Sequence, residues 1–417
     1  MNNKIIAFDF LRALAIIMII PAHLSSYLFS SYGKLALYAF DPYFANMGLG
    51  LFIFMSGYLI YYNNHSINSL QDVFGFYRKR LLRIYPLYWA ALATFILVFS
   101  VSAPRLNSGF VFPNSENVFG FYNVLVHGLG LQILLSPAYA SPMLTLYFVG
   151  LIISFYAIYP LLIMFSKTTK HLLLYSLIIY FGFFLISKAF NVIDHRFFMF
   201  FLIFVFGILT CKESQFGKAV KIQVKTPLVQ VLLAVLPVIF VLTIVTGLRE
   251  SLLLDPRVSV TIDTGTGTIA SSMVRSMLDS IAGLLSINPP LLQFLIDTLL
   301  LNIFIVLFCV FEYLFAMKFI NDKFSSSLSS FFTYIATSSY CVYLFHRPFF
   351  NLWNSGTNFI GSSILRDITM VFVAIPLLFF VSYHVQKLEL NLKDNFSNRQ
   401  FPGKNLLYTR FITGFNK

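Results

Sequence analysis

Ile5-Ile6-Ala7-Phe8-Asp9-Phe10-Leu11-Arg12-Ala13-Leu14-Ala15-Ile16-Ile17-Met18-Ile19-Ile20-Pro21-Ala22-His23-Leu24 is an apolar run of bilayer-spanning length that carries an arginine and a histidine. Arg12 and His23 lie eleven positions apart. At ~100° per residue they return to within ~20° of one helix face, roughly 16 Å apart along the axis. A charge in the hydrocarbon region costs ~2.5–3.5 kcal/mol on the insertion scale, so such groups persist where they face a polar interior and act there. The segment therefore reads as the first span of a helical bundle, with chemistry on its inward face.

Similar runs recur along the chain. Segments of about 42–62, 81–101, 143–165, 171–188, 196–211, 228–247, 291–317, 330–350 and 365–387 join 5–29 to make about ten spans. A shorter stretch, about 121–135, has His127-Gly128-Leu129-Gly130 at its centre and reads as a re-entrant or half-buried segment. The chain is 58% hydrophobic and 11% charged over 417 residues, which excludes a soluble globular domain. The runs are continuous rather than alternating, which excludes a β-barrel. The expected fold is an all-α polytopic integral membrane protein. The first run is too long for a signal peptide, contains Arg12 and offers no small-x-small cleavage site, so it reads as an uncleaved span.

The net charge of +13 is not a nucleic-acid footprint, because the basic residues cluster in short connections. Arg78, Lys79, Arg80 and Arg83 follow span two, and Lys167 and Lys170 follow span four. Lys212, Lys218, Lys221 and Lys225 follow span six, and Lys318 and Lys323 follow span eight. Lys387, Lys393, Arg399, Lys404, Arg410 and Lys417 end the chain. All five groups share one side if 121–135 does not cross, and the positive-inside rule makes that side the cytoplasm. Both termini are then cytoplasmic, in a multi-pass protein of the inner (cytoplasmic) membrane. Residues 1–388 form one integral-membrane domain, with extracytoplasmic loops at about 102–120 and 248–290, and 389–417 form a basic cytoplasmic tail. Cys211, Cys309 and Cys341 have no metal or redox spacing and read as small hydrophobes. No metal site is expected.

Four polar constellations carry the functional reading. In the first, Asp9 and Arg12 are neighbours on a helix face, so Asp9 would neutralise or orient the guanidinium. Pro21, two residues before His23, kinks the helix and opens polar backbone beside the imidazole, a natural general base for a hydroxyl or thioester reaction. In the second, Arg80 and Arg83 lie one turn apart at the mouth of a span. They serve either as topology signals or as a pair suited to a polyphosphate arriving from the cytoplasm. The third is Gly48-Leu49-Gly50-Leu51-Phe52-Ile53-Phe54-Met55-Ser56-Gly57-Tyr58, where small residues favour close helix packing and Ser56 bonds backbone or a neighbouring helix. The fourth is Ser338-Ser339-Tyr340-Cys341-Val342-Tyr343-Leu344-Phe345-His346-Arg347-Pro348, whose His346 and Arg347 lie near the outer end of span nine, functional or interfacial. Asp297 and Glu312 in span eight are candidate buried partners.

In order along the chain, these motifs resemble acyltransferase family three, the membrane enzymes that O-acetylate bacterial surface and secreted polysaccharides. Asp9-x-x-Arg12, ten residues and His23 match the first motif, and Phe52 to Ile60 resembles the Phe-rich Ser-Gly-aromatic second span. Arg80-Leu81-Leu82-Arg83-Ile84-Tyr85-Pro86 is similar to Arg-x-x-Arg-Ile-x-Pro, and Ser339 to His346 to the late Ser-x-x-x-Tyr-Leu-x-His block. In place of the family's frequent mid-chain Trp-Ser-Leu-Ser-Val-Glu, this chain has Tyr147-Phe148-Val149-Gly150, like a Trp-Phe-x-Gly variant with Tyr147 for the tryptophan. No role of that glutamate carries over.

The resemblance implies a stand-alone membrane-bound O-acyltransferase with no bound cofactor. Its co-substrate would be cytoplasmic acyl-CoA, most often acetyl-CoA, and its acceptor a hydroxyl of a surface glycan, a lipid-linked sugar or a related molecule. Arg12, Arg80 and Arg83 would hold the anionic end of the donor. His23 would either deprotonate the acceptor hydroxyl or carry the acyl group itself. Asp9, Ser56, Tyr343, His346 and Glu312 would support them. The competing reading from the residues alone is a secondary transporter or flippase using Arg12 and His23 for substrate or proton binding.

Overall fold

The computed structural model describes residues 3–30, 41–102, 120–216, 289–320 and 326–400, with the isolated positions 280 and 283. Helices account for every regular element of these residues, and no strand occurs among them. In chain order they are α1 (Asn3–Leu24), α2 (Asp41–Asn63), α3 (Leu70–Ser102), α4 (Phe121–Gly128) and α5 (Gln132–Leu135). Then come α6 (Tyr147–Phe165), α7 (Thr169–Phe190), α8 (His195–Phe216) and α9 (Pro289–Phe315), the last prolonged by a wide turn, Ala316–Ile320. The chain continues through α10 (Ser326–Gly356), α11 (Ser363–Thr369), a second wide turn (Met370–Ala374) and α12 (Ile375–Gln400).

Eight helical stretches among the described residues are long and apolar enough to cross a membrane: 6–24, 44–63, 70–100, 144–165, 169–190, 195–214, 302–320 and 363–393. The sequence reading expects two more. The 330–350 span lies within α10, whose 31 residues are long enough but include a series of polar side chains, among them Ser338, Ser339, His346 and Asn351, all buried against neighbours. The 228–247 span, the loops within 103–119 and 248–279, and the tail beyond 400 lie outside the described residues. α12 itself runs unbroken past residue 388 to Gln400.

α3 begins earlier than its apolar run. Asp72 accepts from the Ser69 backbone N–H (3.0 Å) while the Ser69 hydroxyl accepts from that of Asp72 (3.2 Å), a reciprocal cap that starts the helix at Leu70. The 121–135 stretch is two short helices. α4 has eight residues, about 12 Å of rise, too little to cross the hydrocarbon core. A helix that stops at such a depth leaves carbonyl groups without partners, which is costly away from water. α3 supplies the donors: Tyr88 to the His127 carbonyl (2.8 Å), Trp89 Nε1 to that of Gly128 (2.9 Å) and Tyr85 to that of Leu129 (2.8 Å). The aromatic residues following Arg83 thus act as the C-terminal cap of a half-helix in another part of the chain.

The bundle centre is built from α1, α2, α6, α8, α9 and α10. Phe155, Phe197, Phe201 and Phe204 form one fully buried aromatic group, with Phe155 on Phe204 at 5.3 Å and Phe197 on Phe201 at 5.3 Å between centroids. On the neighbouring side Tyr58 packs with Phe8 at 5.1 Å and Tyr313 at 5.3 Å. All three cysteines are buried in this apolar interior. α2 and α8 touch backbone to backbone at Gly57 and Gly207, the close packing expected of small residues in a membrane bundle.

α1 and α10 run side by side in the same direction. Thr333 Oγ1 donates to Asp9 Oδ2 (3.0 Å), and fourteen residues further along both helices Arg347 Nη2 donates to His23 Nδ1 (2.9 Å). Two cross-links at equal spacing hold this pair in register.

Candidate active site

Polar side chains gather at two levels of the bundle, one at each cross-link. At the first, Asp9 is nearly buried and holds Arg12 with one oxygen (3.6 Å) and Thr333 with the other. Arg83 lies within electrostatic reach of Arg12. Arg80 is half-buried, with its guanidinium 5.5 Å from the Phe76 ring centroid and 5.7 Å from that of Tyr156. The Tyr156 hydroxyl shares a hydrogen bond with Ser56 Oγ (2.8 Å). Arg12, Arg80, Ser56 and Tyr156 therefore converge from α1, α3, α2 and α6. Arg83 is exposed, as are Arg78 and Lys79. Asp9 is ion-paired with Arg12, and Arg80 and Arg83 add two further guanidiniums, so this level is cationic and suited to a polyanion.

The second level lies around the other end of α1, about 16 Å away by helical rise. The His23 ring stacks on that of His346, centroids 5.2 Å apart and 14° from parallel. Guanidinium can only donate, so His23 Nδ1 accepts from Arg347 and its remaining hydrogen sits on Nε2. His346 Nδ1 faces the carbonyls of Tyr343 (2.8 Å) and Val342 (3.2 Å), and must donate. Its Nε2 is then a bare acceptor, buried and without a hydrogen-bond partner. The two histidines are thus opposite tautomers. Arg347 also lies over the Tyr27 ring at 6.0 Å. Tyr147 approaches from α6, under Arg196 at 4.3 Å and within electrostatic reach of Arg347.

The floor of this level is tied to the α4–α5 hairpin. Tyr343 donates to the Thr145 carbonyl (2.7 Å), in the turn before Tyr147. The adjacent Leu146 carbonyl accepts from Gln132 Nε2 (3.0 Å), which also donates to the Tyr88 hydroxyl (3.1 Å). A Cβ on Gly150 would lie 2.5 to 2.8 Å from the Gln132 amide, so the glycine of the Tyr147-Phe148-Val149-Gly150 segment makes room for this buried polar side chain. His127 Nδ1–H donates to the Asn123 carbonyl (2.8 Å), and its Nε2 accepts from the Met143 N–H (2.9 Å).

A family model described as an acyltransferase domain, that of acyltransferase family 3, matches residues 5–385. The chain belongs to acyltransferase family 3. No curated protein and no solved structure matches it. As a family 3 member the chain is an acyltransferase, and its apolar helices make it a multi-pass membrane protein.

Most of the residues singled out in the sequence of this acyltransferase meet at one level or the other. Asp9, Arg12, Arg80, Arg83 and Ser56 belong to the first, and His23, Tyr343 and His346 to the second. Glu312 belongs to neither. It is half-buried beside Tyr313, whose ring contacts Phe8, so it is level with the opposite end of α1 from His23. Nothing is described of the Asp297 side chain. Arg347 was visible in its motif only as functional or interfacial, and its place on His23 depends on a contact across 324 residues. Tyr156, Thr333 and Arg196 gave no local signal, being ordinary aromatic, hydroxyl and boundary residues of their spans, and Tyr147 stood out only as the replacement for a motif tryptophan.

Proposed function

We propose that the enzyme is an O-acyltransferase of the cytoplasmic membrane. It takes an acyl group, acetyl foremost, from cytoplasmic acyl-CoA and passes it to a hydroxyl of a glycan, a lipid-linked sugar or a related acceptor at the opposite face. The observation that carries this reading is the pair of polar levels on α1. An arginine-rich level and a histidine level separated by about 16 Å suit a donor with a polyanionic head and a long thin arm ending in a thioester.

In this reading Arg12, Arg80 and Arg83 hold the phosphates of acyl-CoA, which is a co-substrate rather than a bound cofactor. Asp9 fixes the Arg12 guanidinium, and Tyr156, steadied by Ser56, stacks under Arg80. The thioester reaches the level of His23, His346 and Arg347, where the acceptor hydroxyl arrives from the other side. Holding the two reactants together in a site shielded from water is one contribution of the bundle.

The test uses membranes of cells expressing the protein, supplied with acetyl-labelled acetyl-CoA. Expected are release of CoA and label in alkali-labile ester of the envelope fraction, both above membranes lacking the protein. The two signals should fall at least tenfold for Arg12→Ala and for His23→Ala. Neither CoA release nor label above the control would sink the proposal.

A further inference from the structure

We infer that His346, rather than His23, takes the proton from the acceptor hydroxyl, and that His23 is a neutral hydrogen-bond donor to the thioester oxygen. The inference rests on the acyl-transfer reading above and assigns the roles within it.

Position in the chain favours His23 as the base, but its hydrogen bonding opposes that role. A general base, or a nucleophile that carries an acyl group, needs a nitrogen lone pair facing the substrate. On His23 the only lone pair is on Nδ1 and is occupied by Arg347 at 2.9 Å. Moving the hydrogen to Nδ1 would set N–H against N–H and leave a guanidinium hydrogen of a half-buried arginine without its acceptor. Among the described residues no carboxylate pairs with Arg347 to draw it elsewhere. Nε2–H of His23 is therefore fixed as a donor.

His346 is arranged the other way. Two backbone carbonyls hold its hydrogen on Nδ1, and its Nε2 lone pair is buried without a donor. A buried acceptor left unpaired is destabilising, and a hydroxyl seated beside it would satisfy it. The two carbonyl bonds favour this ring orientation, and His23, Tyr343 and Phe350 pack around the ring at 5.2, 5.9 and 6.0 Å. Two consecutive residues of α10 thus place a proton acceptor and a cation beside the His23 donor.

The step balances as follows. The acceptor O–H gives its proton to His346 Nε2 as its oxygen bonds to the thioester carbonyl carbon. Negative charge moves to the carbonyl oxygen, where His23 Nε2–H and the Arg347 charge stabilise it in a water-poor site. The carbonyl re-forms, the C–S bond breaks, and the departing thiolate takes the proton back from His346. The products are the ester and CoA thiol, with the protein unchanged and no acyl-histidine formed.

The test compares purified wild type, His346→Gln, His346→Gly and His23→Gln in liposomes, with acetyl-CoA as donor and octyl β-glucoside or water as acceptor, following CoA release and acetyl-CoA binding. His23→Gln places an amide N–H near the former Nε2–H and should retain activity within about a hundredfold. His346→Gln has no titratable nitrogen and should lose ~10²–10⁴-fold in kcat, with acetyl-CoA affinity unchanged, which shows that the variant is folded. Added imidazoles should rescue His346→Gly in proportion to their basicity, which a merely structural role would not produce. Activity of His346→Gln within threefold of wild type, rescue indifferent to basicity, or an acetyl group trapped on His23 would each overturn the assignment. A wild type that releases no CoA would overturn the acyl-transfer reading itself, and this assignment with it.

Discussion

Gly57 and Gly207 each fill a groove on the other's helix. A Cβ on Gly57 would lie 2.2 Å from the Phe204 carbonyl oxygen, and one on Gly207 would lie 2.1 Å from that of Phe54. Backbone on both sides leaves nothing flexible to give way. Gly57→Ala and Gly207→Ala should each push α2 from α8, at a cost of about 1–3 kcal/mol or more. Gly75 in α3 and Gly182 in α7 have nothing within 4 Å of an added Cβ. Alanine there should be neutral or stabilising by ~0.5–1 kcal/mol. Thermal aggregation of the four variants in detergent separates the two classes, and equal midpoints would refute the close-packing account.

The link between Arg347 and His23 predicts a graded series. Arg347→Gln keeps an N–H that reaches toward Nδ1 but removes the charge, and Arg347→Leu removes both. Activity should fall about tenfold for the first and ~10²–10³-fold for the second, the scale of losing one oxyanion-stabilising donor. Acetyl-CoA affinity should change little in either. A larger effect on KM than on kcat would place Arg347 in donor binding instead.

At the other level the pattern should invert. Arg80→Gln and Arg83→Gln should raise the KM for acetyl-CoA about tenfold or more, with kcat for the remaining turnover nearly kept. Raising the salt concentration should weaken wild-type donor binding and flatten the difference from the variants. Titrating acetyl-CoA at two ionic strengths decides the matter.

His127 supplies a stability prediction. Its Nδ1–H donates to the Asn123 carbonyl and its Nε2 accepts from the Met143 N–H, so the ring joins α4 to the turn before α6. His127→Ala leaves both backbone groups without that bond and should be less stable than wild type by about 1–3 kcal/mol, as read from thermal unfolding midpoints. Equal midpoints would refute this bridging role.

Much of this was legible in the chain. Apolar runs and basic connections gave the helices, and helical periodicity alone put Arg12 and His23 on one face. The apolar run placed the third span at 81–101, and the start of α3 at Leu70 comes from the Ser69–Asp72 cap seen in the structure. The sequence named 330–350 as a span, and the polar side chains that lower the average hydropathy of α10, such as Ser338 and His346, are buried against neighbours. The tautomers of His23 and His346 were also out of reach. They are fixed by Arg347 and by two backbone carbonyls, so they depend on the lateral pairing of helices far apart in sequence. Glu312 shows the converse, since an acid in an apolar run announces burial but not the level at which it lies.

The matched cross-links on α1 and α10 make length, not only identity, part of the machinery. One residue inserted between Arg12 and His23 would leave the Asp9–Thr333 contact in place while swinging the imidazole through ~100° and lifting it ~1.5 Å. The number of residues along that interval is as much a constraint as the identity of its buried side chains. A deletion or insertion there would be tolerated only with a compensating one between Thr333 and Arg347, so the two helices should gain and lose residues in step, as paired rulers cut to one measure.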